Sequence, residues 1–332
     1  MHSWYSRTLS AAASFLLAAG FLVSTAVAQT IKVGHDQPDS STHHQAALKW
    51  KELVEQRTGG KLKVQVFPSS QLGSGVQMVE QTQAGALEVS ILPTAWAAPL
   101  APSLQVLDLP FLFPDRATAH RVIDGPAGEA IMQPLEKVNI KGVAFWESGF
   151  KQFTGNFAIR QPSDYKGTKI RTMPAPVIQE QFKAFGAVPT MINFSELYSA
   201  LQQKVVDGQE NPIATIAAMR FFEVQKHLTL SDHGFIAYVF MINKPFLDKL
   251  PADQRDVLVN SAREASKYQR ELIQKAEVVH LETFKKAGIE IATLTPEQRA
   301  EFEKASRPVY EWYTAKFGTE TLDLIRRYVQ AK

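Results

Sequence analysis

From Gln29 onward, apolar and polar positions switch repeatedly between the two-residue period of strands and the 3.6-residue period of helices. Ile31 and Val33 open a strand. Ser40-Ser41-Thr42 then caps a helix whose apolar face carries Ala46, Ala47, Trp50, Leu53 and Val54, and Gly59-Gly60 ends it. Leu62, Val64 and Val66 alternate as a second strand up to Pro68, a helix pattern covers Val76 to Ala84, and a strand follows from Leu87 to Leu92. A proline-punctuated stretch runs from Pro93 to Pro114. Beyond it the pattern predicts strands at Val143–Trp146 and Thr168–Thr172, and a helix opened near Ser195. Gly208 and Pro212 read as a sharp break, and the apolar run Phe235–Ile242 as a buried strand. Pro251 to Lys286 then holds no further proline or glycine, and Gly288 stands where a C-cap belongs. Such a helix outgrows one compact domain and lacks a heptad, which predicts a bridge between two lobes. Strand and helix signals in alternation predict an α/β protein.

Residues 1–28 fall outside this pattern. A short positive segment to Arg7 leads into an apolar stretch (Ala11, Phe15, Leu16, Leu17, Phe21, Leu22, Val23) and ends in Ala26-Val27-Ala28. The apolar part is shorter than the ~20 residues of a spanning helix, and the small-x-small ending predicts signal-peptide cleavage before Gln29. The expected product is a freely diffusing protein of a Gram-negative periplasm. Intact-mass analysis of the periplasmic fraction should give a chain starting at Gln29; a full-length, membrane-retained chain would contradict this. With 0 cysteines there is neither a disulfide nor a lipid-anchor thiol, so stability rests on a large core. A net charge of +3, scattered without any basic run, excludes a nucleic-acid partner.

Catalytic signatures are absent: no G-x-S-x-G, H-E-x-x-H, P-loop or G-x-G-x-x-G, and no cysteine nucleophile. The chain is therefore expected not to be an enzyme and to need no cofactor. His35, Asp36, Asp39, His43 and His44 are the densest possible metal ligands, but they fit no zinc spacing, and Asp39 with the serines reads as a helix cap; no metal is expected. Arg171 ends a strand before the rigid Met173-Pro174-Ala175-Pro176, where a planar guanidinium could hold a carboxylate with two hydrogen bonds. On spacing alone an ordinary surface or salt-bridged arginine is the better reading. Asn211, held extended by Pro212, reads as a cleft-lining amide or as part of a turn.

Six segments in order carry a resemblance. They are Gly34-His35 with the helix to Gly60, Phe67-Pro68-Ser69-Ser70-Gln71-Leu72-Gly73, Asp108-Leu109-Pro110-Phe111-Leu112-Phe113, Phe145 to Phe153, Gly167 to Arg171, and Phe194-Ser195-Glu196-Leu197-Tyr198 through Asp207 to Pro212. Together they resemble the dicarboxylate-binding family of TRAP (tripartite ATP-independent periplasmic) transporter substrate-binding subunits.

The resemblance implies a two-lobed periplasmic binding protein fold with a central ligand cleft, crossing hinge strands and a long lobe-spanning helix. Lobe 1 would comprise 29–148 plus 236–277, and lobe 2 would comprise 149–235 plus 278–332. It also implies a monomer that delivers a small organic carboxylate to membrane permease subunits. Arg171 becomes the carboxylate clamp, Asn211 its helper, Phe194 a pocket wall and Lys151 a second cation. Thr94 and His35 add polar contacts from the first lobe. Lys151 with Arg171 points to a C4-dicarboxylate such as succinate, malate or fumarate. The apolar stretch after Arg171 keeps 2-oxo and aromatic monocarboxylates open. Pro93-Thr94 lacks the glutamate of sialic-acid binders and argues against that ligand. A ligand-sensing module feeding a signalling receptor is the alternative role.

Overall fold

The computed structural model describes residues 28–330; the expected signal peptide lies outside the described residues, save Ala28. Five strands form one run of sheet in the order β2-β1-β3-β9-β4. They are β1 (Gln29–His35), β2 (Leu62–Phe67), β3 (Val89–Pro93), β4 (Ile140–Gly155) and β9 (Phe235–Asn243). β1 pairs parallel with β2 and β3, whereas β9 runs antiparallel to both β3 and β4. β9 is buried at every position, as expected of a strand covered on both faces.

A second run is built on the far end of β4. There Lys151–Gly155 pairs with β7 (Gly208–Pro212), which leads on to β5 (Lys169–Thr172) and β6 (Val188–Met191). β8 (His227–Leu230) joins β4 at Phe153–Gly155 and carries β10 (Glu290–Thr293). β4 thus belongs to both runs. Its pairing with β9 slips between Glu147 and Gly149, and Gly149 sits at φ +115°, where a side chain would be strained.

Two sequence expectations change here. The strand expected over Val143–Trp146 is a 16-residue strand, extended through the polar Glu147-Ser148-Gly149. The break expected from Gly208 to Pro212 is instead the fully buried strand β7. Its polar side chains suggested a turn, yet the interior satisfies them: Gln209 donates to Thr154 (2.8 Å) and Glu210 pairs with Lys151 (2.7 Å).

The long helix is Ala252–Lys286, 35 residues, or about 50 Å at 1.5 Å per residue. Near its start the Leu258 carbonyl accepts from the Trp50 indole (3.1 Å), and the Ala262 carbonyl accepts from that of Trp146 (3.1 Å). Ser266 donates to the Phe145 carbonyl of β4 (2.7 Å). Farther along, Glu277 pairs with Arg116 (2.6 Å) and Phe284 packs on Phe222 (5.1 Å between centroids). Small buried residues on one face (Ser261, Ala262, Ala265, Ser266) let β4 approach closely. None of the described helices is long and apolar enough to cross a membrane.

Candidate functional site

Arg171 is the third residue of β5 and only 3% exposed. Its Nε donates to the Ile192 carbonyl (3.0 Å), and its guanidinium carbon lies 5.8 Å from the Phe194 ring centroid. Nη2 is buried and has no hydrogen-bond partner among the described residues. Burial brings its pKa down to about 10, while Asp36, Glu210 and Tyr238 pull the other way. A buried arginine with a free N–H edge leaves a donor unsatisfied, which is costly unless an acceptor arrives.

Facing it electrostatically is Asp36, one residue past β1. The Tyr238 hydroxyl, from β9, donates to Asp36 Oδ1 (3.0 Å), and the Gln37 amide donates to that hydroxyl (2.6 Å). Burial raises the Asp36 carboxyl to about 6, against lowering by Tyr238, Trp96 and Arg171. Asp108, in the 3-10 helix Pro102–Asp108, is 1% exposed with an unpartnered Oδ2; burial raises it to about 7 although Lys151 lowers it.

Lys151 is 0% exposed and pairs with Glu210 Oε1. Gly234 makes room for it: a Cβ there would stand 2.4 Å from Lys151 Cε. Glu210 Oε2 meets His233 Nε2 (2.6 Å) and accepts from Gln181 (3.1 Å). Burial alone would raise the Glu210 carboxyl, but Lys151 and His233 hold it down at about 2. Burial depresses the His233 pKa, while its hydrogen bond to Glu210 pulls the other way.

The remaining expected residues are placed as follows. Asn211 lies on the β7 face opposite Glu210 and donates to Gln209. Thr94 stands beside Asp108. The His35 ring meets His44 (3.1 Å), and burial keeps it neutral with a pKa of about 3. Of the six residues expected from the sequence, only Arg171 and Phe194 are direct neighbours by hydrogen bond, ion pair or ring contact. No group of three or more potential metal ligands converges among the described residues.

Sequence reasoning missed Asp36, Asp108, Tyr238, Glu210 and His233 as site residues. A tyrosine inside the apolar run Phe235–Ile242, and an aspartate directly after a strand, were the available signals.

Residues 33–316 match the family described as bacterial extracellular solute-binding protein, family 7. The 2,3-diketo-L-gulonate-binding periplasmic protein of Escherichia coli (strain K12) is 36% identical over 276 residues, 83% of this chain and 84% of that protein. A TRAP periplasmic solute-binding protein from Sulfurospirillum deleyianum, solved with succinate, superposes with a TM-score of 0.86 at 34% identity, covering 92% of this chain and 99% of the other. The sugar acid binding protein of Advenella mimigardefordensis, solved with galactonate, gives 0.88 at 33% identity, covering 91% and 98%.

Proposed function

Since the chain belongs to the family 7 solute-binding proteins, the two-lobed receptors of TRAP transporters, we propose that it captures a hydroxylated monocarboxylate of the sugar-acid class in the periplasm. Proteins of this family bind small carboxylates for membrane permease subunits and are not enzymes. The observation that carries the finer reading is the contrast between two buried cations. Arg171 keeps an unpartnered N–H edge, whereas Lys151 is already neutralised by Glu210.

In this reading the ligand carboxylate docks on Arg171 by charge-assisted hydrogen bonds, with Asn211 assisting and Phe194 forming a wall. Hydroxyls meet Asp36, Tyr238 and Gln37. A ligand held from both sheet runs favours the closed arrangement over an open one, with β4 and β9 as the crossing strands and the sequence-based lobe boundaries as the moving parts. The sugar-acid ligands of relatives support the choice.

A C4-dicarboxylate is the second reading. The succinate-bound relative favours it, but its second carboxylate would need a cation that Lys151 no longer offers.

A thermal-shift screen tests both. At ligand concentrations one hundredfold above Kd the stabilisation should be about 2.7 kcal/mol, read as an upward shift of roughly 5–10 °C. The expected ranking puts galactonate and erythronate above succinate. Shifts with neutral sugars or amino acids alone would remove the carboxylate reading.

A further inference from the structure

Strand register divides the buried polar residues of the second sheet run between two faces. Phe153 of β4 stands opposite Glu210 of β7, and Ile170 of β5 stands opposite Gly208. Side chains alternate along a strand, so Lys151, Phe153 and Glu210 project from one face, and Thr154, Gln209, Asn211 and Arg171 from the other. The Arg171 face carries an unbroken chain of side-chain hydrogen bonds. Gln225, two residues before β8, donates from Nε2 to the Val224 carbonyl (3.1 Å). Its Oε1 accepts from the Thr154 hydroxyl (3.0 Å), and Thr154 Oγ1 accepts from Gln209 Nε2 (2.8 Å). Gln209 Oε1 in turn accepts from Asn211 Nδ2.

The Val224 carbonyl gives this chain its direction. A carbonyl oxygen only accepts, so the Gln225 amide must turn its nitrogen toward it and its oxygen toward Thr154. The one hydroxyl proton of Thr154 is then spent on Gln225. That leaves Thr154 as the acceptor for Gln209, and Gln209 Oε1 as the acceptor for Asn211. Turning any one amide over would set acceptor against acceptor or donor against donor. The interior there is dry: Thr154 is 0%, Gln209 1% and Gln225 3% exposed. Gln152, across from Asn211 in the register, is committed elsewhere. Its amide donates to Asp232 Oδ1 (2.7 Å) and accepts from the Ser231 N–H (2.8 Å). Asn211 therefore keeps one free N–H and an Oδ1 that accepts no hydrogen bond among the described residues.

We propose that Gln225, Thr154 and Gln209 are positioning residues that hold the Asn211 amide with its oxygen presented to the ligand, so that the receptor selects acids bearing a hydroxyl on the carbon next to the carboxylate. The inference rests on the carboxylate-receptor reading above and adds where on the ligand a hydroxyl is required. With the carboxylate on the unpartnered Nη2 of Arg171, the free Asn211 N–H joins the same carboxylate, while Oδ1 needs a donor. A 2-hydroxyl supplies that donor. A methylene in its place leaves a buried oxygen unpaired, which costs affinity.

The test compares acids that differ only by that hydroxyl. The pairs are D-galactonate with 2-deoxy-D-galactonate, D-erythronate with its 2-deoxy analogue, and malate with succinate, so that sugar acids and dicarboxylates are both covered. Calorimetric titration of the chain from Gln29 gives the ratio of dissociation constants within each pair. In the pair that binds most tightly, the wild type should favour the hydroxylated acid by about tenfold or more. Thr154→Val keeps the shape of the side chain but interrupts the hydrogen bonds, and should shrink that ratio to about threefold or less. Gln225→Met, which removes the anchor on Val224, should act in the same direction. Thr154→Ser, which restores the hydroxyl, should return the ratio toward the wild-type value.

A merely structural role would weaken both acids of a pair equally and leave the ratio where it was. Melting temperatures report whether each variant is folded, and one folded variant of the Val and Met pair suffices. An unchanged ratio in that variant, a ratio that serine fails to restore, or a wild type that binds the deoxy acid as tightly overturns the inference and leaves the receptor reading intact. Failure of the wild type to bind any carboxylate overturns both.

Discussion

Arg171→Ala should lose more than a hundredfold in affinity for the carboxylate ligand, roughly 3–5 kcal/mol, while the empty protein melts within a few degrees of the wild type. The size follows from burial. A carboxylate drawn against an arginine that is itself only 3% exposed has little water to replace the guanidinium, so removing Arg171 strands the ligand's charge. Arg171→Lys keeps a cation but loses the planar fork and the contact with Phe194, and should recover only part of the loss. The fold is spared because Arg171 makes one hydrogen bond within the protein, from Nε to the Ile192 carbonyl. Calorimetric titration of the three proteins decides the matter. Binding by Arg171→Ala within a few-fold of the wild type would remove Arg171 from the site.

The second large effect falls on stability. Glu210→Ala leaves Lys151, fully buried beneath Gly234, without its counter-charge, which should cost about 3–5 kcal/mol and lower Tm by roughly 10 °C. The double change Lys151→Met with Glu210→Gln removes both charges and keeps an acceptor and donor near His233 and Gln181, so it should melt well above the single variant. The pH dependence has a definite sign. Glu210 is held at about 2, below its ordinary value, so its contribution is fully present above the usual glutamate range and is lost as pH falls through about 2. Asp36 and Asp108 are raised, so between the ordinary aspartate range and about 6–7 they make the fold less stable as pH rises. Thermal melts across this span check both signs. A Glu210→Ala protein melting within about 2 °C of the wild type would show that the pair contributes little.

Much of the architecture was legible because local patterns and tertiary structure agree. The Ser41 cap, the alternation of Leu62, Val64 and Val66, and the proline- and glycine-free stretch before Gly288 all appear as a helix start, a strand and the long helix. β7 was illegible for a physical reason. Gly-Gln-Glu-Asn-Pro is turn chemistry until a buried lysine and a threonine of β4, and a histidine from the segment between β8 and β9, satisfy it. Among the candidate site residues, Arg171 stood out beside its strand, but its role as a clamp came from the resemblance and not from its spacing. Asp36 and Tyr238 did not stand out, because 202 residues separate two groups that only folding brings together.

The strand order also bears on when the chain can become compact during synthesis. β3, the third strand in sequence, lies between β1 and β9, so its second edge stays open until Phe235–Asn243 has been made. The Trp50 indole waits longer still for the Leu258 carbonyl, 208 residues downstream. Loop closures of that length are slow, and neither half of the chain can finish its sheet alone. A polypeptide that reaches its compact state only after nearly all of it exists remains threadable for longer, as a chain exported unfolded would need to be.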